Sequence, residues 1–459
     1  MTKRVSIHGQ WSSRWAFILA ATGSAVGLGN IWKFPYIAGE NGGGAFVLVY
    51  LLCIVAIGVP TMMAEILLGR RGRQSPINTM QSLAAEAGRS PRWRALGWLG
   101  VLAGVLILSY YSVVAGWALA YIFRAGTGAF TGIDSAQAAA LFESLTGDPQ
   151  LLIAWHTTFM ALTILIVSRG VRSGLESAVK VLMPVMLVLL LVLVGYALNS
   201  GAFQQGIRFM FSPNFAELTA TGVLVAMGHA FFTLSLGMGA IMVYGSYLSR
   251  RASIARTTFT IAALDTLVAV LAGMAIFPIV FASGLQPGEG PGLVFLTLPI
   301  SFGQMPWGAF FGTLFFILLA FAAWTSAISL LEPAVAWLVE TVGWKRSTAA
   351  LATGTLCWFV GLGTVFSFNV WSEPLIGERN LFGIIDFVTS NIMLPLGGLL
   401  IAVFAGWVLG RDASRDELAL GDGRGYRAWR FFVRYVTPLA VGIVFLHVVG
   451  VLDLLARPA

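Results

Sequence analysis

The chain has 459 residues, 58% of them hydrophobic and only 10% charged, with a formal net charge of +8. A soluble domain carries about 25% charged residues, so this composition excludes a water-soluble globule and makes the bilayer the solvent. Lipid leaves only helices or closed barrels, and the apolar runs are too long for barrel strands; an all-α membrane protein is therefore expected.

The basic start, Met1 to Arg14, runs directly into an apolar stretch too long for a signal-peptide core. It has no small-residue cleavage site in register and reads as the first spanning helix. Each crossing takes about 20 apolar residues. Eleven such segments follow in order, at about 13–38, 43–69, 95–124, 150–168, 176–199, 219–248, 257–284, 307–341, 348–370, 381–410 and 434–456. Lys and Arg concentrate in alternate connections. With the N-terminus inside, the outside stretches hold only Arg124, Arg208, Arg379 and Arg457 of the 28 Lys and Arg, and Lys33 lies within a span. That asymmetry sets an inside N-terminus. It also explains the net charge, so no nucleic-acid partner is expected. Two connections, about 125–149 and 285–306, are long enough to fold on their own, and the second is rich in Gly and Pro, as a cap would be. No separate soluble domain is predicted; the whole of 1–459 reads as one transmembrane unit.

Cys53 and Cys357 fall inside apolar runs and read as packing residues. His8, His156, His229 and His447 are scattered one to a segment, and no nucleophile–base pair or metal set can be assembled, so an enzyme is not expected.

Two segments are interrupted. The first reads Gly23-Ser24-Ala25-Val26-Gly27-Leu28-Gly29-Asn30, and each glycine costs a helix about 1 kcal/mol relative to Ala. The sixth carries Thr233-Leu234-Ser235-Leu236-Gly237-Met238-Gly239. Small residues also serve close helix packing, but two breaks five segments apart, each flanked by hydroxyl or amide side chains, fit a pair of repeats whose broken helices bind substrate and ions at mid-membrane.

At Trp11, Gly23 to Pro35, Asn41 to Phe46, Pro60 to Gly69, Tyr110-Tyr111, Phe231 to Tyr247 and Thr325-Ser326 the chain resembles the neurotransmitter:sodium symporter family, particularly its bacterial LeuT-type amino-acid members. The resemblance covers nearly the whole chain, and eleven spans look like the bacterial variant without a twelfth. It implies the LeuT-type fold: two inverted five-helix repeats (about 13–199 and 219–410) with helices 1 and 6 broken, plus one further C-terminal helix at about 434–456. The implied function is sodium-coupled import of apolar or aromatic L-amino acids by alternating access in the bacterial inner membrane, by a monomer or weak homodimer. A betaine or GABA-like substrate, or a substrate-gated receptor or channel on the same fold, remains the alternative.

Carried over by position, the resemblance puts sodium site one on the Ala25 carbonyl, Asn30, Thr233 and Asp265. Site two falls on the carbonyls of Gly23, Val26 and Ala322 with the hydroxyls of Thr325 and Ser326. Hard cations want such oxygens. The substrate carboxylate would meet the amides of Leu28 and Gly29 and the Tyr111 hydroxyl. The amine would face the carbonyls of Ala25, Phe232 and Thr233 and the Ser235 hydroxyl, with Ile107, Phe232, Met238, Ser326 and Leu330 around the side chain. Monoamine members carry Asp where this chain has Gly27, which favours amino acids. Asp265 supplies a fixed negative charge, so no chloride requirement is expected.

Lys33 and Asp386 match the outer gate, with His229 where relatives place Gln; a closure sensitive to pH near the imidazole value of about 6.5 is expected. His8 and Glu340, with Arg4 as a possible substitute, match the inner gate. Glu65 matches a carboxylate that braces the broken helices. Gly174 and Pro184 match a motif that lets helix 5 unwind and admit water to site two.

Overall fold

The computed structural model describes residues 4, 6–286, 292–421 and 423–449. The chain opens with a bent pair, α1a (Arg14–Ala25) and α1b (Gly29–Glu40), whose axes differ by 54°. It continues with α2 (Gly44–Gly72), α3 (Pro91–Gly126), α4 (Pro149–Ser168) and α5 (Val171–Leu198). The sixth segment is divided into α6a (Ala220–Thr233) and α6b (Ala240–Ser246). Then come α7 (Ile254–Ala282), α8 (Gly308–Val342), α9 (Arg346–Phe366), α10 (Leu381–Val408) and α11 (Arg424–Val448). Among the described residues nine of these helices are long and apolar enough to cross a membrane unbroken, and the bent α1 pair makes a tenth crossing. The divided sixth segment accounts for the remaining one predicted from sequence.

Both interruptions have local causes. Ser13 caps α1a by accepting from the Ala16 N–H, and the helix stops where Val26 turns extended (φ −71°, ψ 106°). Its last carbonyls are thereby freed from helical bonding. After α6a the backbone turns left-handed at Ser235 (φ 53°), Gly237 (φ 85°) and Gly239 (φ 77°). Gly237 could not be replaced, because a Cβ there would stand 2.5 Å from the Leu394 carbonyl of α10. Ser235 carries a left-handed penalty of about 1–2 kcal/mol, and its Oγ donates to the Ser24 carbonyl at 2.8 Å. One hydroxyl thus ties the two breaks to each other.

α3 and α8 pack along most of their length and wall the breaks from one side. On the other side, α5 starts in a widened turn, Val171–Glu176, and carries Pro184 within the helix. Gly174 passes so close to α4 that a Cβ would lie 2.1 Å from the Ile166 carbonyl. Met183, beside the proline, reaches Gly23 of the first break, its Sδ 3.0 Å from where a Cβ would be.

Of the expected cap, Pro287, Gly288, Gly290 and Pro291 lie outside the described residues. Its remainder is a helix, Leu293–Gln304, with Phe295 fully buried among Trp32, Trp117, Tyr121 and Phe142. The Gly132 N–H donates to the Gly303 carbonyl, joining the two long connections. Cys53 and Cys357 are both buried and unbonded.

Candidate functional site

The carboxylate of Asp265 on α7 meets both breaks. Asn30 Nδ2 donates to Asp265 Oδ1 at 2.8 Å and to Thr233 Oγ1 at 3.0 Å, and Thr233 Oγ1 donates to Asp265 Oδ2 at 3.0 Å. Asn30 Oδ1 accepts from the Gly27 N–H at 3.1 Å. All three side chains are essentially sealed from solvent. The buried carboxylate and the hydroxyl are oxygens of the kind that a hard monovalent cation accepts, while Asn30 turns its amide nitrogen to them and its Oδ1 to the Gly27 N–H.

A second oxygen cluster sits one turn away. Ser326 Oγ donates toward the carbonyls of Gly23 (3.4 Å), Ser24 (3.2 Å) and Val26 (3.3 Å), and Thr325 Oγ1 toward that of Ala322 (3.0 Å). Of the residues named from sequence, the structure brings together Asn30, Thr233 and Asp265 of the first set and Gly23, Val26, Ala322, Thr325 and Ser326 of the second, and α5 reaches the second through Met183.

Between the clusters, Leu28 N–H donates to the Tyr111 hydroxyl at 3.1 Å, at the start of α1b. A Cβ on Gly27 would stand 2.8 Å from that hydroxyl and 2.6 Å from Ser326 Oγ, so any side chain there would have to displace both. Ile107, Met238 and Leu330 are buried nearby; Gly104, one turn before Ile107, lets α3 approach the carbonyls of Leu330 and Met238. The Phe232 ring lies over Gly29, its Cε1 3.2 Å from the Cβ position. Ser235 has its partner on α1a. Its hydroxyl donates to the Ser24 carbonyl of the first break, from a left-handed backbone. Glu65 Oε1 accepts the Gly237 N–H at 2.6 Å, which satisfies a backbone donor stranded by the second break.

At the outer end the expected ion pair is not made. Lys33 Nζ lies 4.5 Å from the centre of the Phe232 ring, Asp386 Oδ1 accepts from Ser390 at 3.0 Å, and no ion pair within 4 Å joins Lys33 to Asp386. A compact ammonium has no bidentate grip on a carboxylate, and an aromatic face offers it an alternative. His229 stacks on Phe34 with ring centroids 6.0 Å apart and leaves both ring nitrogens without a hydrogen-bond partner. Lys33, His229, Phe232 and Ser390 share the wall of a cavity of about 350 Å³ between α1b, α6a, α10 and α11.

At the inner end His8 Nε2 is 3.0 Å from Glu340 Oε1, and the same carboxylate accepts from the Ser75 N–H and Asn78 Nδ2. Arg4 is no substitute, since it pairs with Glu86 at 3.1 Å. Trp11 ties the same segment to the end of α6b: its ring N–H donates to the Tyr244 carbonyl and its backbone N–H to that of Tyr247.

The sequence reading missed a second lock here. Glu332 on α8, fully buried, pairs with Arg346 at the start of α9 and accepts from the Tyr247 hydroxyl at 2.7 Å. A carboxylate in mid-run of an apolar span was the available signal. Removing one partner strands the other charge, so Glu332→Ala should cost about 3–5 kcal/mol and Glu332→Gln less; melting temperature in detergent measures both. Arg70 likewise joins α2 to Glu417 at 2.5 Å and to the Ala252 carbonyl.

The "Sodium:neurotransmitter symporter family" pattern matches residues 8–133 and 145–455. The chain belongs to this family. It is 40% identical over 447 residues to the sodium-dependent transporter YhdH of Bacillus subtilis, covering 97% of this chain and 98% of that one. A sodium-dependent transporter of Haemophilus influenzae is 32% identical, covering 95% and 97%. Among solved structures, MhsT, crystallised with L-phenylalanine, superposes with a TM-score of 0.88 at 44% identity, covering 96% of this chain and 99% of that one. This symporter-family chain is accordingly a sodium-dependent, multi-pass membrane transporter with the LeuT-type fold, and not an enzyme.

Proposed function

We propose that the chain imports apolar or aromatic L-amino acids together with sodium, by alternating access around the two breaks and without chloride. In this reading the N-terminus is cytoplasmic, in a bacterial inner membrane. The carrying observation is the Tyr111 hydroxyl held at the Leu28 N–H, at the start of α1b, with Gly27 leaving no room for a side-chain carboxylate. A substrate carboxylate in that place would gain the Leu28 and Gly29 amides and the hydroxyl at the positive end of a helix. No acidic side chain then stands ready to pair a bare monoamine. Met238 is unbranched and adaptable, which suits large side chains, and the related MhsT was solved with L-phenylalanine.

Sodium would enter as cargo at the Asn30–Thr233–Asp265 cluster and at the Thr325–Ser326 cluster. The Asp265 carboxylate supplies the fixed negative charge that would otherwise have to come from an anion. Two sodium ions crossing 100 mV release about 4.6 kcal/mol and a tenfold sodium gradient adds about 2.8, enough for roughly 10⁵-fold accumulation of a zwitterion.

The test is a thermal-shift panel of the twenty L-amino acids, with GABA and betaine, on purified protein in sodium and then potassium. Stabilisation by Leu, Phe or Trp in sodium alone, unchanged when gluconate replaces chloride, is expected. Equal stabilisation in potassium would break the ion assignment. A response confined to GABA or betaine would overturn the substrate class.

A further inference from the structure

The amino-terminal end of α11 carries Arg427, Arg430 and Arg434, spaced three and four residues apart and so on one helix face. Across a cavity of about 390 Å³ they meet Arg411, which begins the short helix Arg411–Leu418 after α10. Among the described residues no carboxylate meets these three α11 arginines. Arg430 donates only to hydroxyls, those of Tyr426 at 3.0 Å and Ser414 at 3.5 Å. The Arg434 guanidinium lies 3.9 Å from the centre of the Trp407 ring, and its Nε is buried without a partner. The stem of Arg434 is seated against Gly406, where a Cβ would come within 2.8 Å of its Cγ, and Trp407 Nε1 donates to the Arg434 carbonyl.

The opposite edge of the cavity is apolar and open. Phe431, Tyr435 and Trp407 are each at least half exposed, and Leu439, one turn further along α11, is 68% exposed. Exposed aromatics at the foot of a spanning helix mark headgroup depth, and the exposed leucine beyond them marks the acyl region. Concentrated guanidinium charge beside this boundary calls for an anion that also has hydrocarbon. Arginine meets phosphate through paired N–H donors, and basic pockets between membrane helices take anionic lipid headgroups.

We propose that the pocket between α11 and the short helix Arg411–Leu418 binds the headgroup of an anionic phospholipid, its phosphate among Arg427, Arg430 and Arg434 and its chains along Phe431, Tyr435 and Leu439. A free phosphate shares the headgroup chemistry but gains nothing from the apolar edge.

Native mass spectrometry of the delipidated full chain, titrated with palmitoyl-oleoyl-phosphatidylglycerol or the phosphatidylcholine equivalent, tests this. The glycerol lipid should bind more tightly, by about fivefold for each arginine engaged. Arg427→Gln, on an exposed side chain, should lose about fivefold, and Arg427→Gln with Arg434→Gln about 25-fold. Arg208→Gln, far along the chain at the end of another helix, should lose nothing. Phosphatidylcholine binding equally well, or both α11 variants keeping wild-type affinity, overturns the site. Millimolar inorganic phosphate displacing the lipid completely would overturn the lipid assignment in favour of a small-anion site.

Discussion

Asp265→Ala should raise the sodium concentration needed for stabilisation by amino acids roughly 100-fold while leaving a folded, monodisperse protein. The carboxylate receives hydrogen bonds from Asn30 at 2.8 Å and Thr233 at 3.0 Å in a site closed to water. Deleting it leaves the buried Thr233 hydroxyl without its acceptor, at about 1–3 kcal/mol, and Asn30 with only Thr233 and the residue-265 backbone carbonyl to donate to. Those donors also lose the acceptor that fixes their direction, so the oxygen set for the cation comes apart. About 3 kcal/mol corresponds to a rise of roughly 100-fold in the sodium concentration that gives half the thermal shift. Asp265→Asn keeps the shape and removes the charge; it should retain part of the hydrogen bonding, and its sodium response should improve when chloride is present. A sodium midpoint that Asp265→Ala leaves unchanged would remove this carboxylate from the ion site.

Gly27→Ala should weaken amino-acid binding by roughly tenfold to 100-fold, the range set by about 1–3 kcal/mol of overpacking in a closed interior. The added methyl would press on the Tyr111 hydroxyl at 2.8 Å and on Ser326 Oγ at 2.6 Å at once. Neither neighbour can yield cheaply. The tyrosine hydroxyl is the tip of a rigid ring engaged with Leu28, and the serine hydroxyl is turned toward the carbonyls of the first break. Because Ser326 also belongs to the second oxygen cluster, the variant should raise the sodium midpoint along with the substrate midpoint. Gly27→Asp should be worse, with no gain in affinity for amines, since its carboxylate has no free volume to enter. Binding of Leu or Phe within twofold of wild type in the Gly27→Ala protein would show that Tyr111 moves freely.

What could be read from sequence was whatever is encoded by local chemistry. Glycines grouped with hydroxyl and amide residues announce a broken helix wherever they occur in an apolar run, so both breaks, and with them Asn30 and Thr233, were visible before any coordinates, whereas Thr325 and Ser326, inside the unbroken α8, were named only through the family resemblance. Positions fixed by backbone direction were not. That Ser235 turns its hydroxyl to Ser24 follows from a left-handed φ of 53°, which residue type does not announce. Partner choice over long separations was equally hidden: Glu332 could be seen as an intramembrane carboxylate, but Arg346 and Tyr247 as its partners required the packing of three helices. The pairing of Arg4 with Glu86, and the capture of the Lys33 ammonium by a phenylalanine ring, are choices among neighbours that only the folded chain supplies.

The Ser235–Ser24 bond also bears on how faithfully such a machine keeps its accounts of ions. With one short hydroxyl spanning the two interruptions, a displacement of either half-helix is transmitted to the other within a single bond length. Together with the Asn30–Thr233 bond it links the two interruptions, so a posture in which one had shifted and the other had not would give up both bonds, about 0.5–1.5 kcal/mol each. In the proposed transport cycle such postures would let an ion slip alone, so the two bonds would favour coupled passage over an uncoupled current.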